Sequence, residues 1–303
     1  DLTFLDGKLT SEIDFYNRLT TDMIRPSQLS SLLSGYNAPR VNIGELQNRG
    51  IETNFTWNSK IGKVNYGVNL NLSYNNNKLL KWNEFLAKGS TYLNLPYQFV
   101  YTSESYGIAQ SWEDIQNAPY QNNRYVAPGD ILYKDLNGDG QYNSEDRKAI
   151  PLYNFNTFPL QGGLNLYAEW KGIDINILWQ GAGLRKAYWL DLFNNTTIPA
   201  ARRAFADFLW YDTWNLDNRS ATLPRLLTGN GGSNNSGTEF WLDDCSYLRL
   251  KNLMVGYNFP AHIMEPLGIE RFRVYFSSEN LLTLTKFRGI DPEIGRASCR
   301  ERV

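Results

Sequence analysis

The sequence predicts an all-β fold, part of a large antiparallel transmembrane β-barrel with short turns at one rim and long loops at the other. Three observations predict it. Apolar and polar residues alternate two by two over long segments, the links between segments alternate between short and long, and aromatic rings collect at segment ends.

Taken in order, the chain opens on DLTFLDGKLTSEIDFYNR, which reads as already within a strand and is expected to belong to a fragment. A long segment to about Arg49 follows. In GIETNFTWN, Ile51, Thr53, Phe55 and Trp57 oppose Glu52, Asn54, Thr56 and Asn58. After the short link SKIGK (59–63), VNYGVNLNLSY places Val64, Tyr66, Val68, Leu70, Leu72 and Tyr74 on one face. Asn65, Gly67, Asn69, Asn71 and Ser73 take the other. Its span matches the roughly 9–11 residues that a tilted strand needs to cross a bilayer. A very long segment runs from Asn75 to about Phe158. GLNLYAEW and IDINILWQ then repeat the alternation around Lys171-Gly172, with Leu164, Leu166, Ala168 and Trp170 matched by Ile173, Ile175, Ile177 and Trp179. A third long segment reaches about Cys245. LMVGYNF and RFRVYFSSEN close the series around PAHIMEPLG (260–268). That makes roughly eight strands, too few to close a large pore, and an open edge of long strands invites aggregation.

Alternation alone fits a soluble β-sandwich as well. The links and the rings favour the barrel. Trp57, Trp170, Phe259 and Phe272 lie beside the short links, whereas Tyr74 and Trp179 lie at the opposite strand ends, as in two aromatic girdles. The polar face then points into a lumen and the apolar face to outer-membrane lipid.

Composition narrows the function. The 303 residues suffice for one large domain or two ordinary ones, and a net charge of −1 gives no footprint for nucleic acid. Aromatics make up 14% of the chain although the mean hydropathy is −0.46, a pairing that suits rings half in water. No run of about 18 apolar residues exists to form a transmembrane helix. Cys245 and Cys299 define no disulfide framework, and a single histidine, His262, excludes multi-histidine metal sites and disfavours Ser/His or Cys/His nucleophilic chemistry. No pair among the 31 acids is marked for carboxylate hydrolysis, so the chain is expected not to be an enzyme.

Residues 135–146, DLNGDGQYNSED, are spelled like a calcium loop. Asp135, Asn137, Asp139, Gln141, Asn143 and Asp146 occupy positions 1, 3, 5, 7, 9 and 12, with Gly140 at the sharp turn and Gln141 offering its backbone carbonyl. Position 12 carries Asp where an EF-hand has Glu, so the loop is closer to a dockerin type. The expectation is a structural Ca²⁺ that pins an external loop; the alternative is a metal-free Asx turn. In the third long segment, TIPAARRAFADFLWYDTW (197–214) is expected to begin a helix at Thr197. Its rings, Phe205, Phe208, Trp210 and Trp214, pack the loop on itself or stack on a sugar. GNGGSNNSG (229–237) reads as a flexible tip.

Three stretches carry a family resemblance: GDILYKDLNGDGQYNSEDR (129–147), YLRLKNLMVGYNFP (247–260) and RVYFSSENLLTLTKFRGIDPE (273–293). They resemble signatures of SusC/RagA-type TonB-linked outer-membrane proteins, in the order expected near that family's C-terminus. The resemblance implies residues 1–293 of a C-terminal barrel portion in the outer membrane of a Gram-negative bacterium, with long external loops about 20–48, 80–157 and 183–244. It implies import of oligosaccharide or peptide, a SusD-like surface lipoprotein as lid, and TonB acting through a plug domain that this chain lacks. A soluble extracellular β-rich carbohydrate-binding or adhesive module with a calcium loop is the alternative, and a two-carboxylate glycoside hydrolase a third reading. The tail IGRASCRERV (294–303) breaks the pattern and equals the codon-by-codon translation of a common sequencing adapter, so it is expected not to be biological sequence.

Overall fold

A computed structural model describes residues 1–26, 39–81, 93–97, 99–121, 125–151, 159–188, 197–198, 211–228, 234, 238–288 and 291–293. The expected adapter tail lies outside these residues, as does 199–210 of the expected helix. Thr197–Ile198 is a two-residue strand, paired in parallel with Leu227–Thr228, instead of a helix start.

Eight strands form one antiparallel sheet in strict chain order: β1 (Leu2–Phe4), β2 (Leu9–Pro26), β3 (Arg40–Ile61), β4 (Val64–Lys81), β5 (Leu160–Trp170), β6 (Ile173–Gly183), β7 (Tyr247–Asn258) and β8 (Arg273–Thr285). Because each strand pairs with the next, the links β3–β4, β5–β6 and β7–β8 share one rim and the long connections share the other. The link expected at 59–63 is tighter than the sequence predicts, and the expected turn at Lys171-Gly172 is borne out. Only Gly62 and Lys63 join β3 to β4, and Lys171 and Gly172 join β5 to β6 with both φ positive (48° and 88°), the mirror-image turn that matches strand twist. The sheet is open, with β1 and β8 at its edges.

Register explains why alternation was so legible. Trp57, Val68, Leu166, Ile177 and Leu253 lie side by side across β3 to β7, and Phe55, Leu70, Leu164, Trp179 and Leu250 form the next row. These rows make one apolar face, and among the described residues no second sheet packs over it. Ile175, Trp170 and Phe276 remain well exposed to the surroundings. Near the short turns, Phe259 and Phe272 meet ring to ring at 5.1 Å, and Lys171 reaches over the Trp170 ring at 4.9 Å. Lysine beside an interfacial ring is what a membrane boundary favours.

The opposite face is held by side-chain hydrogen bonds. Asn69 donates to Asn54 at 2.9 Å and to Thr56 at 2.7 Å, and the Tyr167 hydroxyl donates to Asn58 at 2.9 Å. Tyr167 lies flat over its cross-strand partner Gly67, where a Cβ would come within 2.2 Å of the ring. Asp174 accepts from Arg273 on β8 and from Asn258 on β7, so one carboxylate ties three strands.

β2 and β3 are longer than the sequence suggests. Residues 20–26 and 40–48, expected as loop, continue the strands, and β3 reaches 22 residues. That is about twice the length a membrane crossing needs. Above Ile51 the outward positions of β3, Arg49 and Gln47, turn polar, and Arg49 donates to Asn17 across β2–β3 at 3.3 Å. Outside the apolar band both faces meet water, so alternation fades although the ladder continues.

Leu166→Arg or Ile175→Arg should destabilise the membrane-embedded chain by about 2–4 kcal/mol, whereas Asn165→Arg on the opposite face should cost little. Denaturant titration in lipid vesicles measures this. Equal penalties on both faces would contradict the lipid-facing assignment.

Candidate functional site

The tightly buried residues are concentrated outside the main sheet, in the two long connections after β4 and β6. Thr102, Asp130, Ile131, Tyr133 and Asn234 are each 0% exposed. A face between lipid and lumen buries little, so the loops must build their own core.

Local rules shape this cap. Phe99–Ser103 pairs with Arg147–Pro151, and Ser105–Ile108 pairs with Ile131–Tyr133. Tyr133 stacks on Tyr142 at 4.6 Å, and the Tyr142 hydroxyl meets Ser103 at 2.5 Å. A short helix, Trp112–Asn117, begins at Ser111 with a reciprocal capping box to Asp114.

Asp130 joins the two connections. Its carboxylate accepts Arg225 Nε at 2.6 Å and Nη2 at 2.8 Å, Asn234 Nδ2 at 2.8 Å and the Ala127 amide at 2.9 Å. Asn234 Oδ1 in turn accepts the Ile131 amide at 2.8 Å. A bidentate Arg–carboxylate pair is among the strongest polar contacts, and here every group around the buried carboxylate has a partner. Hydrogen bonding to Asp130 holds the Arg225 guanidinium above its ordinary pKa. Trp214 donates to Gln110 at 2.9 Å and lies over Gly129, so this ring of the expected aromatic cluster packs inward. The remaining rings, Phe205, Phe208 and Trp210, lie outside the described residues. Asn234 stands in the stretch read as a flexible tip, yet it is fully buried.

The six expected calcium ligands fall within one compact turn. Asp135 accepts the amides of Gly138 (2.6 Å) and Gly140 (2.7 Å). Asn137 Oδ1 accepts the Asp139 amide, Asp139 Oδ1 accepts the Gln141 amide, and Asn143 Oδ1 accepts the Glu145 amide. Asp146, fully buried, accepts the amides of Leu136, Asn137 and Asn143. Asn137 and Asn143 both aim Nδ2 at Asp139 Oδ2, at 3.3 and 3.2 Å. The donor types suit a hard cation, but coordination would require those two amides to turn their oxygens inward. As folded, the loop closes by its own hydrogen bonds, and among the described residues no three His, Cys, Asp or Glu side chains converge as a metal site. Desolvation pushes the Asp135 carboxyl up, but the amides of Gly140, Gly138, Asp139 and Asn137 together outweigh it and hold the pKa below the usual carboxylate value.

Cys245, beside the start of β7, is a buried thiol whose pKa burial pushes up to about 11, so it is protonated and unreactive at neutral pH.

No family model matches the chain. Two TonB-dependent receptors of Formosa agariphila are each 28% identical over 97% of the chain. The TonB-dependent receptor SusC of Bacteroides thetaiotaomicron is 23% identical over the same share. The chain spans about 30% of the length of these relatives. Among solved structures, the RagAB peptide transporter superposes with a TM-score of 0.69 at 25% identity, over 96% of this chain and 31% of that one. RagAB in its closed-closed state superposes with a TM-score of 0.71 at 24% identity. The resemblance to SusC/RagA-type TonB-linked outer-membrane proteins thus runs along almost the whole chain, and the open sheet is a piece of an outer-membrane β-barrel.

Two outcomes follow from the cap. Arg225→Met leaves a buried carboxylate without its cation, which should cost about 3–5 kcal/mol of local stability. Hydrogen exchange at 127–133 should accelerate sharply while β5 and β6 stay protected; unchanged exchange would show that the staple contributes nothing. Because Asp135 is depressed in the folded loop, its contribution is fully present above the ordinary carboxylate value near pH ~4 and is lost as pH falls through the lower folded value. The protection of the Gly138 and Gly140 amides, taken relative to the intrinsic exchange rate at each pH, should therefore fall on acidification, and Asp135→Asn should remove that dependence.

Proposed function

We propose that the chain forms wall and outer loops of a TonB-dependent importer that carries oligosaccharides or peptides across the outer membrane. The observation that carries this reading is one sheet with a lipid-type face, a hydrogen-bonded polar face and a stapled cap on the long-loop rim, aligned along its length with TonB-dependent receptors. The role is transport; the relatives are named receptors and transporters. Peptide cargo is supported by the likeness to the RagAB peptide transporter, and oligosaccharide cargo is what the SusC/RagA-type resemblance implies. A SusD-like surface lipoprotein would close over the cap, and TonB would act through a plug domain carried by the longer protein. Residues 1–293 would supply the C-terminal part of its barrel.

We further propose a structural Ca²⁺ for 135–146. Because a cation must displace hydrogen bonds that already close the loop, its affinity should fall in the weak range of extracellular modules, with a Kd of about 10⁻⁴–10⁻³ M.

Removing the gene from its host should abolish energy-dependent uptake of a defined oligosaccharide or peptide, and a tagged receptor should copurify with a surface lipoprotein. Unaltered uptake across both substrate classes would refute the importer. Calcium titration should show saturable binding that is lost when Asp135→Ala and Asp139→Ala are combined; equal binding by that variant would remove calcium from the account.

A further inference from the structure

A cleft of about 450 Å³ opens on the cap between the Ser105–Ile108 strand and the Trp112–Asn117 helix. Its sides are Tyr106, Gly107, Ile108 and Leu132 on the sheet, with Asp114 and Asn117 on the helix. Asp114 and Asn117 are three residues apart and so share one helix face. The cleft is distinct from the calcium-type loop and from the Asp130 staple.

Its construction centres on Tyr106. The pairing of Ser105–Ile108 with Ile131–Tyr133 slips between Ser105 and Gly107, which makes Tyr106 the extra residue of a β-bulge. Gly107 takes φ +106°, a conformation that side chains resist, although nothing lies within 4 Å of a Cβ built there. Backbone shape, not crowding, therefore calls for glycine. The bulge leaves Tyr106 61% exposed. Lys134 braces the ring, with Nζ 5.7 Å from its centroid, and is itself held by Glu104 at 3.1 Å. An exposed ring fixed in this way is a platform. Ile108 and Leu132 extend its apolar surface. Asp114 spends Oδ2 on the amides of Gln110 and Ser111, which leaves Oδ1 to accept from a ligand.

We propose that this cleft is a subsite for one ring of a neutral oligosaccharide. The sugar's C–H face would lie on Tyr106, and its hydroxyls would donate to Asp114 and exchange hydrogen bonds with Asn117. A flat ring beside a few convergent polar groups suits an amphipathic, uncharged ligand. The same bulge argues against peptide. A peptide adding to this strand needs a continuous backbone edge, and the bulge interrupts that edge where the ligand would pair. The inference rests on the importer reading and selects sugar from its two cargo classes.

The test uses the full-length receptor in detergent, titrated calorimetrically with maltohexaose, cellohexaose, laminarihexaose, xylohexaose and mannohexaose, and with hexaalanine as the peptide. At least one oligosaccharide should bind. Tyr106→Ala should weaken it by about tenfold or more, and Tyr106→Phe, which keeps the ring, by no more than about twofold. Asn117→Ala should weaken it by about two- to tenfold. The subsite is overturned if none of the five sugars binds, if Tyr106→Ala binds as tightly as the parent, or if hexaalanine alone binds in a Tyr106-dependent way. Uptake in cells separates the two claims. Sugar uptake that needs the receptor but ignores Tyr106→Ala leaves the importer standing and removes the subsite. Loss of the receptor without effect on either sugar or peptide uptake removes the importer itself.

Discussion

A bilayer offers no water to a backbone N–H or C=O, so each strand that crosses it must find its partners in the strands beside it. The rest of this structure follows from that constraint. It forces each strand from β2 to β8 to pair with the next, broken only by local register shifts such as those at Leu178/Trp179 and Leu250/Asn252, and that pairing fixes register. Once register is fixed, every second side chain along each strand faces lipid and the others face the lumen. The lumen-side polar groups then have only one another and water. Asn69 with Asn54 and Thr56, and Asp174 with Arg273 and Asn258, are how they are met.

With both faces committed, the wall contributes little to a buried core. The cap has to generate its own, in water, from connections without periodic structure. It does so with polar anchors as much as apolar ones: Asp130, Asn234 and Thr102 are as buried as Ile131 and Tyr133. The arrangement separates roles within the chain. The wall is specified by pattern and tolerates exchange of one apolar residue for another. The cap is specified by particular donors and acceptors, and substitution there removes a partner that nothing nearby replaces.

This separation explains what was legible in the sequence. Val64 to Tyr74 and Leu164 to Trp179 declared themselves because period two is a local property, and the short links declared the topology. Residues 20–26 and 40–48 did not, since strand above the apolar band has water on both sides and no reason to alternate. The short β1 did not stand out before β2, because its turn at Leu5 to Lys8 interrupts a pattern only a few residues old. In the cap, Asp135 to Asp146 were recognisable by spacing, and the structure gathers them into one turn whose oxygens are occupied by backbone amides. Tyr106, Asp130, Arg225 and Asn234 escaped notice. Arg225 and Asn234 meet Asp130 across 95 and 104 residues, a distance over which no periodicity or motif signals a contact, and Asn234 sits in a stretch whose composition suggests only flexibility.

That separation along the chain also orders assembly. Asp130 follows β4, but its cation and its amide partner follow β6. Closing a loop of that length costs conformational entropy before the contact returns anything. Until β5 and β6 have paired and brought the two connections to one rim, the Asp130 carboxylate has no reason to leave water, and the cap that shelters it cannot close. The staple is therefore a checkpoint in time as well as a clasp in space. A cap sealed around Asp130 reports that the strands beneath it have already found their neighbours.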